Sequence, residues 1–563
     1  MPKRLAITIA GAVSLGSYEA GVLYEVLNAI QQHNTDAATG SDDRIEIDVL
    51  TGASAGGMTA IILGQKLLFN SADFVCPYEN PIYDCWVERI GLQGLQNTQD
   101  DEPALLSLFS SDLIKQISEE MLTARYQADP LPAPVRHPAA AATIRLGVAL
   151  TNLNGVDYGY RVKPDNPDGT ENHFIYIRYG DQRTRIADGA ACDNADFWEP
   201  LRQAAVACGA FPFAFRSQDI ERSAKQEPFD YPPANLQAWT SDPQLFTYSD
   251  GGILQNQPLG LAKNLVDTID NHQNQETRFY LFVSPKAKDA TANDNFHAAN
   301  ADYFHLLQRL VGVVMGQSEF QDWITAEEFN GRIKLLDDRA TGLKNAILAG
   351  EIDVPALQTT STSLLALFFP GGVHHPPGAL GPENLQDAKY RIASQYNQEM
   401  NELAVPARAN AFRDAVLAFE TAAGLGARDH MEIYGVTAND SELAGAGLSA
   451  FLGFFDRTFR DHDYDVGRSH AHDFLTNPQI NRPGAIGPLN WDPAKYPLRP
   501  IDHRLDGLKM SHLPNDDLQD FKDGGKRRVN QMLKELIGNW SILAEPVADG
   551  LVTLTLDKVI AKL

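Results

Sequence analysis

The residue best placed to do covalent chemistry is Ser54, in the segment Gly52-Ala53-Ser54-Ala55-Gly56. It follows the run Ile45-Glu46-Ile47-Asp48-Val49-Leu50 and precedes the apolar stretch Met58-Thr59-Ala60-Ile61-Ile62-Leu63. That order reads as strand, sharp turn, helix. Glycines on both sides of a serine let the chain bend tightly, and the hydroxyl then stands at the end of a sheet above a helix N-terminus. Such a serine can attack a carbonyl carbon. The plainer reading of the same five residues is a buried turn with a small residue at its centre.

A nucleophile needs somewhere to place negative charge. An earlier strand, Leu5-Ala6-Ile7-Thr8-Ile9-Ala10, runs into Gly11-Ala12-Val13-Ser14-Leu15-Gly16 and then Ser17-Tyr18-Glu19-Ala20-Gly21-Val22-Leu23. If the two strands are parallel neighbours, this loop lies beside Ser54. Its backbone N–H groups, aided by the next helix, would form an oxyanion hole. One donor of that kind is worth roughly 2.7–4 kcal/mol in the transition state. Gly11 to Gly16 also fits the frame of a phosphate-binding loop, but Ser17 stands where that motif requires lysine. Lys3-Arg4 before an apolar stretch resembles a signal peptide, yet no clean small-residue cleavage site follows, and cleavage would remove the first strand.

The third element is Tyr248-Ser249-Asp250-Gly251-Gly252, after Leu245-Phe246-Thr247. It suggests a carboxylate at a strand end with a turn behind it. Near a serine, a desolvated carboxylate serves as general base; taken alone, Asp-Gly-Gly is an ordinary Asx turn. The common α/β-hydrolase order places the serine after several strands and an acid and a histidine after it. A serine on the second strand points to another layout.

Together these segments resemble the patatin-like phospholipase family: a glycine-rich loop near the N-terminus, G-x-S-x-G, then D-G-[GA]. Here they are Gly11–Gly16, Gly52–Gly56 and Asp250–Gly252. A fourth segment, Ala204-Ala205-Val206-Ala207-Cys208-Gly209-Ala210-Phe211-Pro212-Phe213-Ala214-Phe215, looks like the family's alanine-rich helix and its A-F-P turn. The resemblance covers roughly residues 1–290. It implies a three-layer α/β fold with a mainly parallel central sheet. It also implies a Ser54–Asp250 dyad without a catalytic histidine, an acyl-enzyme intermediate and lipid-ester substrates. Gly11, Ala12, Val13, Ser14, Leu15 and Gly16, with Ala55, would supply the oxyanion donors. Gly52, Gly56, Gly251 and Gly252 would shape the turns. No cofactor is needed. The family loop is typically G-G-G-x-R-G; here Ala12 and Val13 replace two glycines and Leu15 the arginine. A positive charge is therefore missing, and valine tolerates positive φ poorly, so the loop is expected to differ in shape. These departures motivate an alternative: a catalytically weak lipid-binding or signalling protein on the same fold.

The chain has 563 residues, 44% hydrophobic and 21% charged, with net charge −26. That is the make-up of a globular enzyme of more than one domain. The negative charge argues against nucleic acid and against electrostatic adsorption to anionic lipid; contact with a lipid surface would be transient and apolar. No uninterrupted apolar stretch reaches the roughly 18 residues of a spanning helix. Cys76, Cys85, Cys192 and Cys208 form neither a metal pattern nor a disulfide scaffold, so a reducing cytoplasm is the expected setting; a Cys76–Cys85 pair stays open.

Strands are expected at Thr143–Leu150, His173–Tyr179 and Arg278–Ser284, in an α/β catalytic domain over 1–300. A helical insertion occupies about 70–135, including Ile82–Ile90, with Pro130-Leu131-Pro132-Ala133-Pro134 as a linker. Residues 301–563 read as an α-rich region packed on that domain, with helical spacing at His305–Val311, Ala409–Ala423 and Arg528–Ile537. Ser363–Gly372 is read as core or, less simply, as an acyl-chain wall or membrane-dipping loop. Asp461–Asp473 is rich in potential ligands but lacks a clean spacing for any metal. It is read as a polar turn with Asp465 and Arg468 paired.

Overall fold

The computed structural model of the chain describes residues 2–508, except Ala37, 98–102, 164–172, Gly180, Ala190, Phe213, 224–240, 271–277, 288–296, 299–302, 375–382, Gly424, 426–432 and 483–484; it also describes 523–524, 527–528 and 531. Most of the helix expected over 528–537 lies outside the described residues.

In chain order, β1 (Lys3–Ile9) leads into α1 (Gly16–Thr35) and β2 (Ile45–Gly52) into α2 (Ser54–Phe69). The insertion holds short helical turns, with Pro81–Tyr83 continuing as a π-turn over Asp84–Arg89, and α3 (Asp112–Leu122). Then come β3 (Ala140–Asn152), a hairpin of β4 (Val156–Lys163) and β5 (His173–Tyr179), β6 (Asp181–Asp188), α4 (Ala195–Cys208), β7 (Gln218–Arg222), β8 (Gln244–Asp250), α5 (Leu259–Asp270) and β9 (Arg278–Ala287). Helices α6 (Tyr303–Ala349), α7 (Val354–Phe368), α8 (Leu385–Gln395) and α9 (Pro406–Ala422) follow, then β10 (Ile433–Asn439) and α10 (Arg457–Thr476).

The central sheet has the order β10-β9-β1-β2-β3-β8-β7, with β6 also on β3. From β10 to β3 every pairing is parallel; β6, β8 and β7 add antiparallel edges. The strand expected at 173–179 forms but pairs with β4 outside this sheet. Two covered faces explain why β1 and β2 read as near-continuous apolar runs. Leu5, Ile7 and Ile9 pack with α1 and α2 on one face, while Ala6 and Val49 meet Val266 of α5 on the other. The architecture is a three-layer α/β sandwich. Asp48 sits inside β2 because the Arg278 guanidinium of β9 meets both its oxygens, one at 2.8 Å.

Helices α6 to α9 enclose a second core around Ala340, Leu365, Phe412 and Val416. Within Ser363–Gly372, Leu365 and Phe369 enter that core and Leu367 faces outward. Chain beyond residue 300 also returns to the first unit, because β10 extends the sheet and α10 packs along α1. The two helices approach so closely that a methyl at Gly21 would strike the Tyr464 carbonyl, and one at Gly467 the Tyr18 carbonyl. The expected polar turn at 461–473 is instead the interior of α10, and Asp465 and Arg468 are not partners. Arg468 is fully buried and takes Glu25 of α1 (3.1 Å), while Asp465 accepts from the Tyr78 hydroxyl (2.7 Å). A buried guanidinium requires a buried carboxylate, and Glu25 is the one at hand. Among the described residues no three His, Cys, Asp or Glu are grouped to hold a metal, and no helix is long and apolar enough to cross a membrane. All four cysteines are free thiols, so Cys76 and Cys85 do not pair.

Candidate active site

The parallel register places Ile9 opposite Gly52, so the loops leaving β1 and β2 lie side by side at the same sheet edge. Ser54 opens α2 with φ of +50°, after Ala53 in an extended conformation. The serine itself takes the strained left-handed backbone of the turn. Its flanking glycines serve a different need, which is room. A Cβ on Gly52 would collide with the Gly56 carbonyl, and one on Gly56 with the carbonyls of Ile9 and Ala10. Helix α2 can therefore start directly against β1, and the Ser54 hydroxyl is aimed at the sheet edge.

Asp250 ends β8 and is fully buried. Its Oδ2 accepts the Ser54 hydroxyl at 2.6 Å, and its Oδ1 accepts the Gly252 N–H at 2.7 Å. The second bond holds the carboxylate plane in place. Main-chain bonds tie the aspartate itself: its N–H donates to the Ala210 carbonyl (3.0 Å), and its carbonyl accepts from the Thr151 hydroxyl (2.7 Å). Gly251 again has no room for a side chain, here against the Ala149 carbonyl.

Loop 11–16 lies beside both groups. A Cβ added to Gly11 would stand 3.1 Å from Ser54 Cβ. The loop forms a short turn, Val13–Leu15, and Val13 adopts φ of +53°. The backbone thus keeps the glycine-like conformation despite the valine, rather than relaxing to another shape. The Gly11 N–H is committed to the Asn256 carbonyl (2.9 Å) and the Leu15 N–H to the Ala12 carbonyl (3.0 Å). Those of Ala12, Val13 and Ser14 have no such bond among the described residues. Leu15 is buried, and Gly16 lies flat against the Trp86 ring, with no room for a methyl.

Two residues here carried no role in the sequence reading. Cys208, in the alanine-rich helix α4, is buried against α2, where a Cβ at Gly57 would collide with its sulfur, with the backbone N–H groups of Ser54 and Gly251 nearby. Burial, then the nearby Asp250 carboxylate, push its thiol well above the ordinary range, so it stays neutral between the two turns. Asn256, also buried, secures Gly11. Both lie in segments already marked by motif, but only their position shows what they touch.

A three-layer α/β fold whose serine elbow faces a buried aspartate defines a class of acyl hydrolase-like proteins. Residues 7–263 match the model of the patatin-like phospholipase family. An uncharacterized protein, y4iI, of Sinorhizobium fredii (strain NBRC 101917 / NGR234) is 27% identical over 325 residues, 46% of this chain and 45% of its own length. An uncharacterized membrane protein, Rv3479, of Mycobacterium tuberculosis (strain ATCC 25618 / H37Rv) is 26% identical over 323 residues, 51% of this chain and 28% of its own. The chain spans less than half the length of either relative.

Proposed function

We propose that the protein hydrolyses carboxylic esters of lipids, in the manner of a phospholipase A or lysophospholipase, through an acyl-enzyme on Ser54 with Asp250 as general base. The observation that carries this reading is the 2.6 Å bond from the Ser54 hydroxyl to the buried Asp250 carboxylate. In the first step Ser54 Oγ attacks the ester carbonyl carbon while its proton passes to Asp250. The tetrahedral oxyanion is held by the N–H groups of Ala12, Val13 and Ser14, joined by that of Ala55 at the start of α2. Collapse expels the alcohol, which takes the proton from Asp250. Water, deprotonated by the same carboxylate, then releases the fatty acid. The chemistry calls for no cofactor. The expected setting is a lipid surface facing the cytoplasm, reached through apolar contact, since a net charge of −26 is repelled by anionic headgroups.

The test is release of fatty acid from a panel of lipid esters by the wild type and by Ser54→Ala. Retention of most activity by a folded Ser54→Ala variant would remove the serine from the mechanism. A second reading, a lipid-binding protein with weak catalysis, is favoured by Val13, whose branched side chain stands in a strained turn where the family has glycine. A fluorophosphonate probe separates the two, because labelling needs both an activated serine and a working oxyanion site.

A further inference from the structure

One side of the site is built from chain far outside the family-matched segment. Residues 444–455 lie against loop 11–16. The Ser14 hydroxyl donates to the Ala450 carbonyl, 436 residues away. Gly445 has no room for a side chain, since a Cβ there would stand 2.6 Å from Asp463 Oδ2 and 3.1 Å from Leu15 Cδ2, and at Gly453 it would crowd the Ser14 hydroxyl. The strap is anchored from α10, where the buried Asp463 carboxylate accepts the N–H groups of Ala444 (2.7 Å) and Gly445 (2.9 Å).

Backbone strain converges on this spot. Among the described residues, non-glycine positive φ occurs at Val13, Ser54, Ala404 and Ala450. Three of these four belong to the elbow, the loop and the strap. Strain of this kind persists only where surroundings over-determine it, and it gathers at functional sites.

The residue after Ala450 reaches the segment that supports the acid. The Phe451 ring meets Phe211 edge-on at 5.5 Å and Phe109 of the insertion at 6.3 Å. Phe211 follows Ala210, whose carbonyl holds the Asp250 N–H and the Ser249 hydroxyl. One strap therefore touches the oxyanion loop through Ala450 and the acid's support through Phe451. Phe109, Phe211, Phe451 and Val13 are only partly buried, so the segments that hold the loop and the acid keep some apolar surface exposed.

We propose that Phe451, with Phe211 and Phe109, forms the wall that receives the substrate's acyl chain, so that chain-length selectivity is set by a residue outside residues 7–263. The proposal rests on the serine-hydrolase reading. Each methylene drawn from water onto such a wall strengthens binding roughly fourfold.

The experiment measures kcat/KM for p-nitrophenyl butyrate and decanoate with the wild type, Ser54→Ala, Phe451→Ala, Phe451→Leu and Phe419→Ala, the last on the exposed face of α9. Phe451→Ala should lower the decanoate-to-butyrate ratio by about tenfold, mostly through KM, with Phe451→Leu between it and the wild type and Phe419→Ala at the wild-type ratio. Fluorophosphonate labelling reports whether each variant keeps a formed site; if Phe451→Ala does not, the leucine variant decides. A ratio unchanged while turnover stays Ser54-dependent overturns the wall alone. So does a uniform rise at both lengths, which would make Phe451 a cover. No Ser54-dependent turnover by the wild type overturns the hydrolase reading and the wall with it.

Discussion

The Cys208 thiol is buried against Gly57 of α2, three residues past Ser54: a Cβ at Gly57 would collide with its sulfur. The backbone N–H groups of Ser54 and Gly251 and the Asp250 carboxylate lie near the same sulfur, which therefore packs between the elbow and the acid turn. Cys208→Ala removes the buried sulfur and leaves a cavity, and should cost about 2–4 kcal/mol of stability. It should also lower kcat more than it raises KM, because Ser54 loses support for its strained φ. Denaturant unfolding and ester turnover check both parts; a variant as stable and active as the wild type would show the packing to be idle. In the folded wild type this buried, neutral thiol should resist iodoacetamide.

Asp250→Asn keeps the shape of the acid and its bond from Gly252, but an amide cannot take the serine proton. Turnover of a short ester should fall by about 10²–10⁴-fold, with thermal stability close to wild type. A loss under tenfold, in a folded variant, would mean that another group deprotonates Ser54.

The contact between α1 and α10 contains one ion pair sealed from solvent, Arg468 with Glu25. Burial raises the Glu25 pKa, and Arg468 opposes that rise. Arg468→Leu strands the carboxylate and should destabilise the fold by about 3–5 kcal/mol. The double variant Arg468→Leu/Glu25→Leu should recover most of that loss. Equal instability of single and double variants in urea would locate the cost in packing rather than in the stranded charge.

His137 is almost wholly enclosed, and burial lowers its pKa to about 4. The folded pKa thus lies below the usual value near 6.5 for an unfolded histidine. The unfolded chain takes up the proton first as pH falls, so stability is full above about 6.5 and is lost on descending to about 4. The loss should approach about 3 kcal/mol across that window. Unfolding free energies at pH 7, 5.5 and 4 for the wild type and His137→Gln test this; parallel curves for the two would assign the acid sensitivity elsewhere.

Strands β1, β2, β3 and β9 were legible because sheets covered on both faces leave continuous apolar runs, and β8 was marked by the turn that ends it. The added edges β6, β7 and β10 were not: Gln218–Arg222 holds one apolar residue, Ile220, and Ile433–Asn439 lies in the region read as α-rich. Helix α10 was misread for a related reason. Its acidic residues, histidines and glycine have weak helix propensity, and packing of Gly467 and Arg468 on α1 overrides it. At the site, the motifs singled out Ser54 and Asp250, which the fold brings within hydrogen-bond distance, while the elbow glycines were read only as turn formers. They make room for neighbouring backbone, and the positive φ falls on the serine.

By itself, the order of residues determined the local devices: a turn that lifts a serine, a loop with spare amides, an acid at a strand end. These follow from backbone sterics and side-chain period within a few residues, which any reader of the chain can inspect. Only the folded chain decided that Ser54 meets a carboxylate 196 positions away, which amides near Gly11 are already spoken for, and that Phe451 stands beside Phe211. Such meetings depend on how sheet and helices pack, and close packing couples residues whose separation along the chain carries no trace of it.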